Sequence, residues 1–324
     1  MTVAAVLLAY AVGAGTLGAR LLGRAGWMAR APLLAILTYL AAAWSVVAAL
    51  GLVGLTLAVH ASALGGALSQ LIGACVLRLR ATYATPGGAA AAVAGLLLAA
   101  AVAARTVLTA ASHLHVTRRQ ALRHARTARL VGRPEPALGA VLVEHSQPAA
   151  YCVAGRHPTV ILTTGALQAL APGQLEAVLA HERAHLAWRH HRLLAMARIG
   201  RRALPFLPLM RDTEAQVERL VELHADDAAT RTRDPGSLAS ALVVLATAAP
   251  DPVSFPAVAA APVLASATTD AVQRIHRLLR PAEPLAPSRR LLLRTMTAAL
   301  VLGPLVMALA PAVLALALGR VPHA

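Results

Sequence analysis

Long apolar runs punctuate this chain and set its outline. Thr2–Ala19 is uncharged, as is Ala31–His60 apart from its terminal histidine, and Gly87–Ala104 and Thr295–Gly319 complete the set. Each is long enough, or nearly so with its flanks, to cross a hydrocarbon core that needs about 20 residues. Spans are therefore expected near 3–22, 34–57, 88–108 and 297–318. Pro304 and Pro311 are tolerable in a membrane helix whose neighbours satisfy the freed carbonyls. A further apolar stretch, Ala61–Leu77, is short and broken by Gly65-Gly66, Ser69-Gln70 and Gly73. It reads as an interfacial or re-entrant element rather than a fifth span.

Between the third and fourth runs the pattern changes. Arg105–Leu130 reads as a basic helix leaving the membrane. Ala137–Glu144, Ala149–Ala154 and Thr159–Thr163 are short Val/Ile/Leu/Tyr-rich runs separated by turn residues, as expected of a small antiparallel sheet. Thr164–Leu170 predicts a short helix. A longer one follows Pro172-Gly173 to about His191 and extends through Leu193–Ala203, stopping before Pro205. Helices are also expected over Thr213–Thr232, Ser237–Ala248 and Asp270–Arg280, with a Pro-rich loop at Ala249–Pro262 and a linker at Pro281–Pro287. The expectation is an α-helical multi-pass membrane protein of about four spans with an inserted α+β domain. Its parts are an N-terminal membrane region over 1–112, a domain over 113–290, and a last span with a short tail over 291–324.

Composition agrees: 58% of the 324 residues are hydrophobic and only 14% charged, which an ordinary soluble domain does not show. The first run lacks a basic leader, and its positive charges follow at Arg20, Arg24 and Arg30, unlike a cleaved signal. Arginines also follow the third run (Arg118, Arg119, Arg123, Arg126, Arg129) and precede the fourth (Arg289, Arg290, Arg294). Positive flanks face the cytoplasm, so the inserted domain should lie there, in the cytoplasmic membrane of a bacterium, with both chain ends outside. The net charge of +16 does not indicate nucleic acid. All 30 basic residues are Arg, much of the excess flanks the spans, and few aromatics stand ready to stack bases. Cys75 and Cys152 fall on opposite sides of the expected membrane and in no metal-binding spacing; Cys152 reads as a small buried strand residue.

Within the inserted domain, His181-Glu182-Arg183-Ala184-His185 carries the chemistry. Two histidines four apart on a helix lie one turn apart on one face, close enough to share a metal ion. Glu182, one position round, can take a proton from water activated there, as in a zinc metalloprotease. A catalytic zinc needs a third protein ligand and an open position. On the following acidic helix, Glu222 and Asp226 again share a face. Glu222 can complete the ligand set, and Asp226 can accept the Nδ1–H of a ligating histidine. From spacing alone, Glu214, Glu218 and His224 also remain open as ligands.

The pentad followed by Glu222-Leu223-His224-Ala225-Asp226 resembles the gluzincin pattern of HtpX-type and CAAX prenyl proteases and of BlaR/MecR-type membrane metallopeptidases. Thr159–Leu170 resembles their strand and helix leading into the active site. The resemblance implies one catalytic zinc held by His181, His185 and Glu222, with Glu182 as general base and Asp226 behind the ligands. Many relatives carry an acidic residue five or six positions after the second histidine, where this chain has His190 and His191. The order of three spans, zinc domain and fourth span is most similar to the BlaR/MecR type, whose members sense a signal outside and cleave a cytoplasmic repressor. Only Arg320–Ala324 follow the fourth run, and no S-x-x-K motif occurs, so no penicillin-binding sensor is expected.

The expected function is membrane-embedded peptide hydrolysis. The partners are the lipid bilayer and a protein substrate such as a BlaI-like repressor. Two alternatives stand beside it: HtpX-like quality control of membrane proteins, and a non-catalytic zinc scaffold in which His190 or His191 supplies a fourth ligand. His276, Arg274, Arg277 and His224 are candidates for an oxyanion donor.

Overall fold

The computed structural model describes residues 2–62, 88–155, 158–248, 264–280 and 283–317. Four of its helices are long and apolar enough to cross a membrane, over Val3–Gly23, Pro32–Leu57, Val93–Gln120 and Pro287–Pro311. They belong to α1 (Thr2–Gly23), α2 (Pro32–Ser62), α3 (Gly88–Val131) and α10 (Pro287–Ala317). The expected third span and the basic helix after it are thus one helix, because Arg105 interrupts neither its periodicity nor its backbone hydrogen bonding. Helices α2 and α3 approach closely at Gly54, where an added Cβ would collide with the Gly95 carbonyl and Ala99. Small residues at such crossings let apolar helices bring their backbones together. Of the element expected over Ala61–Leu77, residues 63–77 lie outside the described residues, as do the Pro-rich 249–262 loop and Cys75.

The remaining elements form the inserted domain: β1 (Arg133–Glu135), β2 (Ala140–Val143), β3 (Ala150–Val153), β4 (Thr159–Thr163), α4 (Thr164–Ala169), α5 (Pro172–Ala187), α6 (His190–Ala203), α7 (Pro208–Ala229), α8 (Pro235–Thr247) and α9 (Leu264–Leu279). The sheet order is β1-β2-β4-β3. It is mixed rather than antiparallel. β1 and β3 run antiparallel to their neighbours, while β2 and β4 pair in parallel from Ala140↔Val160 to Val143↔Thr163. β3 connects them, crossing to the far side of β4 and leaving itself as an edge strand. Leu142, Leu162, Ala166, Leu170, Val178 and Ala241 close the core between the sheet, α5 and α8.

Local chemistry fixes where the helices start. Thr163 caps α4 by accepting from the Ala166 N–H (3.2 Å), and Asp234 caps α8 through the Ser237 N–H (2.7 Å). At α5, Pro172 takes the first turn and Gln174 Oε1 accepts from the Ala171 N–H (2.9 Å). Ala171 has no side-chain acceptor to return, so only half of a capping box forms.

The long helix expected from Pro172 through Ala203 is instead two helices. Arg189 stands between them at φ 52, in the left-handed region. No glycine or proline announces this break. A non-glycine residue there costs about 1–2 kcal/mol. Arg189→Gly is therefore expected to raise the melting midpoint by about 2–8 °C for a domain of this size, and Arg189→Val to lower it. Scanning calorimetry in one detergent measures both, and a lower midpoint for the glycine variant would contradict the left-handed turn.

Helix α7 joins the domain to the apolar helices. Leu209 and Met210 pack with Leu7, Ala11, Val46 and Ala49 of α1 and α2. Val217, Leu220 and Val221 pack with Ile36, Tyr39 and Leu40 of α2.

Candidate metal centre

Helices α5 and α7 bring the sequence-predicted residues together. His181 and His185, one turn apart on α5, face Glu222 of α7. His181 Nε2 lies 3.1 Å from His185 Nε2, and each of these nitrogens lies 3.5 Å from a Glu222 carboxylate oxygen. Two atoms bound to one zinc at about 2.0–2.2 Å and the tetrahedral angle stand roughly 3.3–3.6 Å apart. The donor types and the spacing therefore both fit such an ion. Among the described residues, no fourth His, Cys, Asp or Glu joins this group, and a three-donor set is the catalytic rather than the structural pattern.

Asp226, fully buried one turn beyond Glu222, sets its Oδ1 2.9 Å from His181 Nδ1. This contact falls outside hydrogen-bond geometry and is instead a short ion pair. Arg274 of α9 reaches in behind. It donates to both Asp226 oxygens (2.8 and 2.7 Å) and to Glu222 Oε2 (3.0 Å). Committed to two carboxylates, Arg274 is not a free donor for an oxyanion. Arg277 pairs with Asp227 at 2.6 Å, and His276 is exposed. Glu214 and Glu218 both pair with Arg198 of α6 (3.8 and 2.9 Å), two turns and one turn before Glu222 on α7, and are not part of the donor group.

His190 and His224 take up neither ligand position. The left-handed turn at Arg189 redirects α6 so that His190 points inward and is buried. On a continuous helix, five residues would rotate it about 140° away from His185. Instead its Nδ1 lies 2.9 Å from His185 Nδ1, and its Nε2 lies 2.9 Å from His224 Nδ1. His191 faces solvent.

Burial raises the Glu182 carboxyl to about 6, with the Glu222 charge adding and His181 opposing. Cys152, half-buried in β3, lies near this carboxyl; burial and then the Glu182 charge push its thiol up. Burial also lowers His185 to about 4, His190 to about 3 and His224 to about 4. For Glu222, burial acts upward, but His181 and Arg274 more than reverse it and hold the carboxyl well below the usual range.

His181 behaves the other way. Burial opposes its charge, yet contacts with Asp226 and Glu222 outweigh burial and hold the ring above its ordinary value. It therefore keeps its proton at neutral pH in the metal-free chain, whereas a ligand nitrogen must be bare. Loading a divalent metal at pH 7 is expected to release about one proton, and affinity should rise about tenfold per pH unit through this range. Zinc calorimetry in two buffers of different ionisation heat counts that proton. Zero release would mean that His181 is not a ligand.

Residues 114–211 match the model of peptidase family M48. No curated protein and no solved structure matches the chain. The matched stretch runs from α3 through the sheet and the histidine pentad to the start of α7. Glu222, Asp226 and Arg274 lie beyond it. The match supports a metallopeptidase, and the donor triangle gives such an enzyme a place for its metal.

Proposed function

We propose that the chain is an integral-membrane, zinc-dependent metalloendopeptidase acting on a cytoplasmic or membrane-proximal protein. One observation carries this reading: the His181–His185–Glu222 triangle with Glu182 beside it, within and just beyond a stretch that matches a peptidase family.

His181, His185 and Glu222 would hold the ion. Zinc bound there supplies a Lewis acid that polarises the scissile carbonyl and acidifies water. Glu182 takes the proton from the attacking water and passes it to the leaving amine. A half-buried carboxyl raised to about 6 is suited to doing both near neutral pH. Asp226 and Arg274 orient His181 and Glu222, and among the described residues no arginine forms an ion pair with Glu182. Cys152 places the edge strand β3 beside Glu182, so an extended substrate segment adding to that edge would pass the general base.

The four apolar helices support a multi-pass membrane protein, and the arginine flanks support a cytoplasmic domain over 113–290. Three apolar helices, a zinc domain and a fourth apolar helix is the BlaR/MecR-type order. On that basis the substrate is a repressor of the BlaI type rather than damaged membrane protein. A non-catalytic scaffold fits less well, because His190 bonds the ring of His185 instead of joining the donors.

The test uses the full chain purified in detergent, with zinc content measured, against casein and any co-encoded repressor. Cleavage should stop on chelation and return with zinc. Cleavage indifferent to chelation would overturn the reading.

A further inference from the structure

We infer that His190 and His224 form an uncharged relay that fixes the ring orientation and tautomer of His185, so that Nε2 is the atom offered to the metal. This rests on the metal-centre reading above.

The two ligand histidines are supported differently. Behind His181 stands a buried carboxylate, itself clamped by Arg274. Behind His185 stand two more imidazoles, in a chain with both ring contacts at 2.9 Å. Hydrogen-bond counting gives this chain a direction. If His185 Nε2 is bare for the ion, its proton sits on Nδ1 and must be accepted by His190 Nδ1. His190 then carries its own proton on Nε2, which His224 Nδ1 accepts. Each contact then has one donor and one acceptor, with His190 serving as both, and no charge is needed anywhere along the chain. Reversing any one tautomer places two N–H groups, or two bare nitrogens, face to face. The relay is held by packing: His185 and His190 meet edge to face at 4.8 Å, and Trp188 meets the His224 ring in the same way at 4.8 Å. His190 and His224 are both buried, so water does not compete for these nitrogens.

A carboxylate partner increases the basicity of a ligating imidazole; an imidazole partner orients it without adding charge. The site is therefore asymmetric, with His181 the stronger donor and His185 the one whose hold depends on alignment. His190 and His224 are positioning residues, and their effect should appear in metal affinity.

The experiment is zinc affinity of the detergent-solubilised full chain, by competition with a chromophoric chelator, together with the visible spectrum of the cobalt-loaded form. His190→Leu removes both contacts and is expected to bind zinc about 10–100-fold more weakly, with an altered cobalt spectrum. His190→Asn can place an amide oxygen near the Nδ1 position to accept from His185, and should recover affinity to within about threefold of the parent. His224→Leu should fall between the two, and it carries the same test if His190→Leu is not recovered folded. Affinity within about threefold of the parent for the leucine variants would overturn the relay, as would an asparagine variant no better than His190→Leu, the result of a merely space-filling role. Failure of the parent itself to bind zinc would instead remove the metal-centre reading, and the relay with it.

Discussion

Glu182→Gln is expected to lower peptide-bond cleavage by about 10²–10⁴-fold while leaving zinc bound. That range is what one positioned general acid–base group contributes. The amide has the shape of the carboxyl but cannot take up a proton, so the loss isolates that role. Glu182 is outside the donor group, so metal content should be unchanged. Its environment also makes the change structurally mild. A carboxyl that burial already raises to about 6 gives up little when replaced by a neutral group. Single-turnover cleavage with zinc analysis on the same samples measures both quantities. Cleavage retained within tenfold would place the base elsewhere, and lost zinc would make Glu182 part of the metal's support.

The second large effect is expected at Arg274, through stability and metal retention together. Its guanidinium makes three hydrogen bonds to two carboxylates, and one of them, Asp226, is fully buried. Burial disfavours the Asp226 anion, yet Arg274 and then His181 hold its carboxyl below the usual range. Removing one partner from a buried ionic network costs about 3–5 kcal/mol, because the remaining charge is left uncompensated. Arg274→Met should therefore lower the melting midpoint by roughly 6–20 °C for a domain of this size, and the purified variant should carry less zinc. Adding Asp226→Asn should restore part of the stability, since it removes the stranded charge, but not the affinity. A single variant that melts with the parent would show that the network is not stabilising, and a double variant worse than either single would contradict the proposed coupling.

The parts of this site that were legible in the sequence are those set by helical period. His181 with His185, and Glu222 with Asp226, are i,i+4 pairs, and a helix must put each pair on one face. The apolar runs were equally legible, because about 20 uncharged residues leave little else to expect. Less visible was anything that depends on which elements meet. Arg274 stands 48 positions from Asp226, in a helix whose basic residues were weighed only as oxyanion donors. The parallel pairing of β2 with β4 was hidden because Val/Ile/Leu runs signal a strand but not its neighbour. The break at Arg189 gave no signal at all: Leu186-Ala-Trp-Arg-His-His-Arg-Leu keeps a helical rhythm with no residue that favours a left-handed turn. His190 was weighed as a fourth ligand of a scaffold site, and only the turn shows how it comes to support His185 instead.

Helix α7 carries Glu222 and Asp226 on the side that meets α5, and leans on α1 and α2 with the other. A helix moves as a rigid body, so a sub-ångström slide of α2 against its neighbours would be felt as a changed bite of the third donor. Coupling of this kind is reciprocal: an ion that tightens the three donors also resists rearrangement of the apolar helices. On the proposed membrane reading, the thickness or lateral tension of a bilayer would be transcribed into how firmly the metal is gripped. A harsh detergent would then be seen first as a leak of zinc from a protein that is still folded.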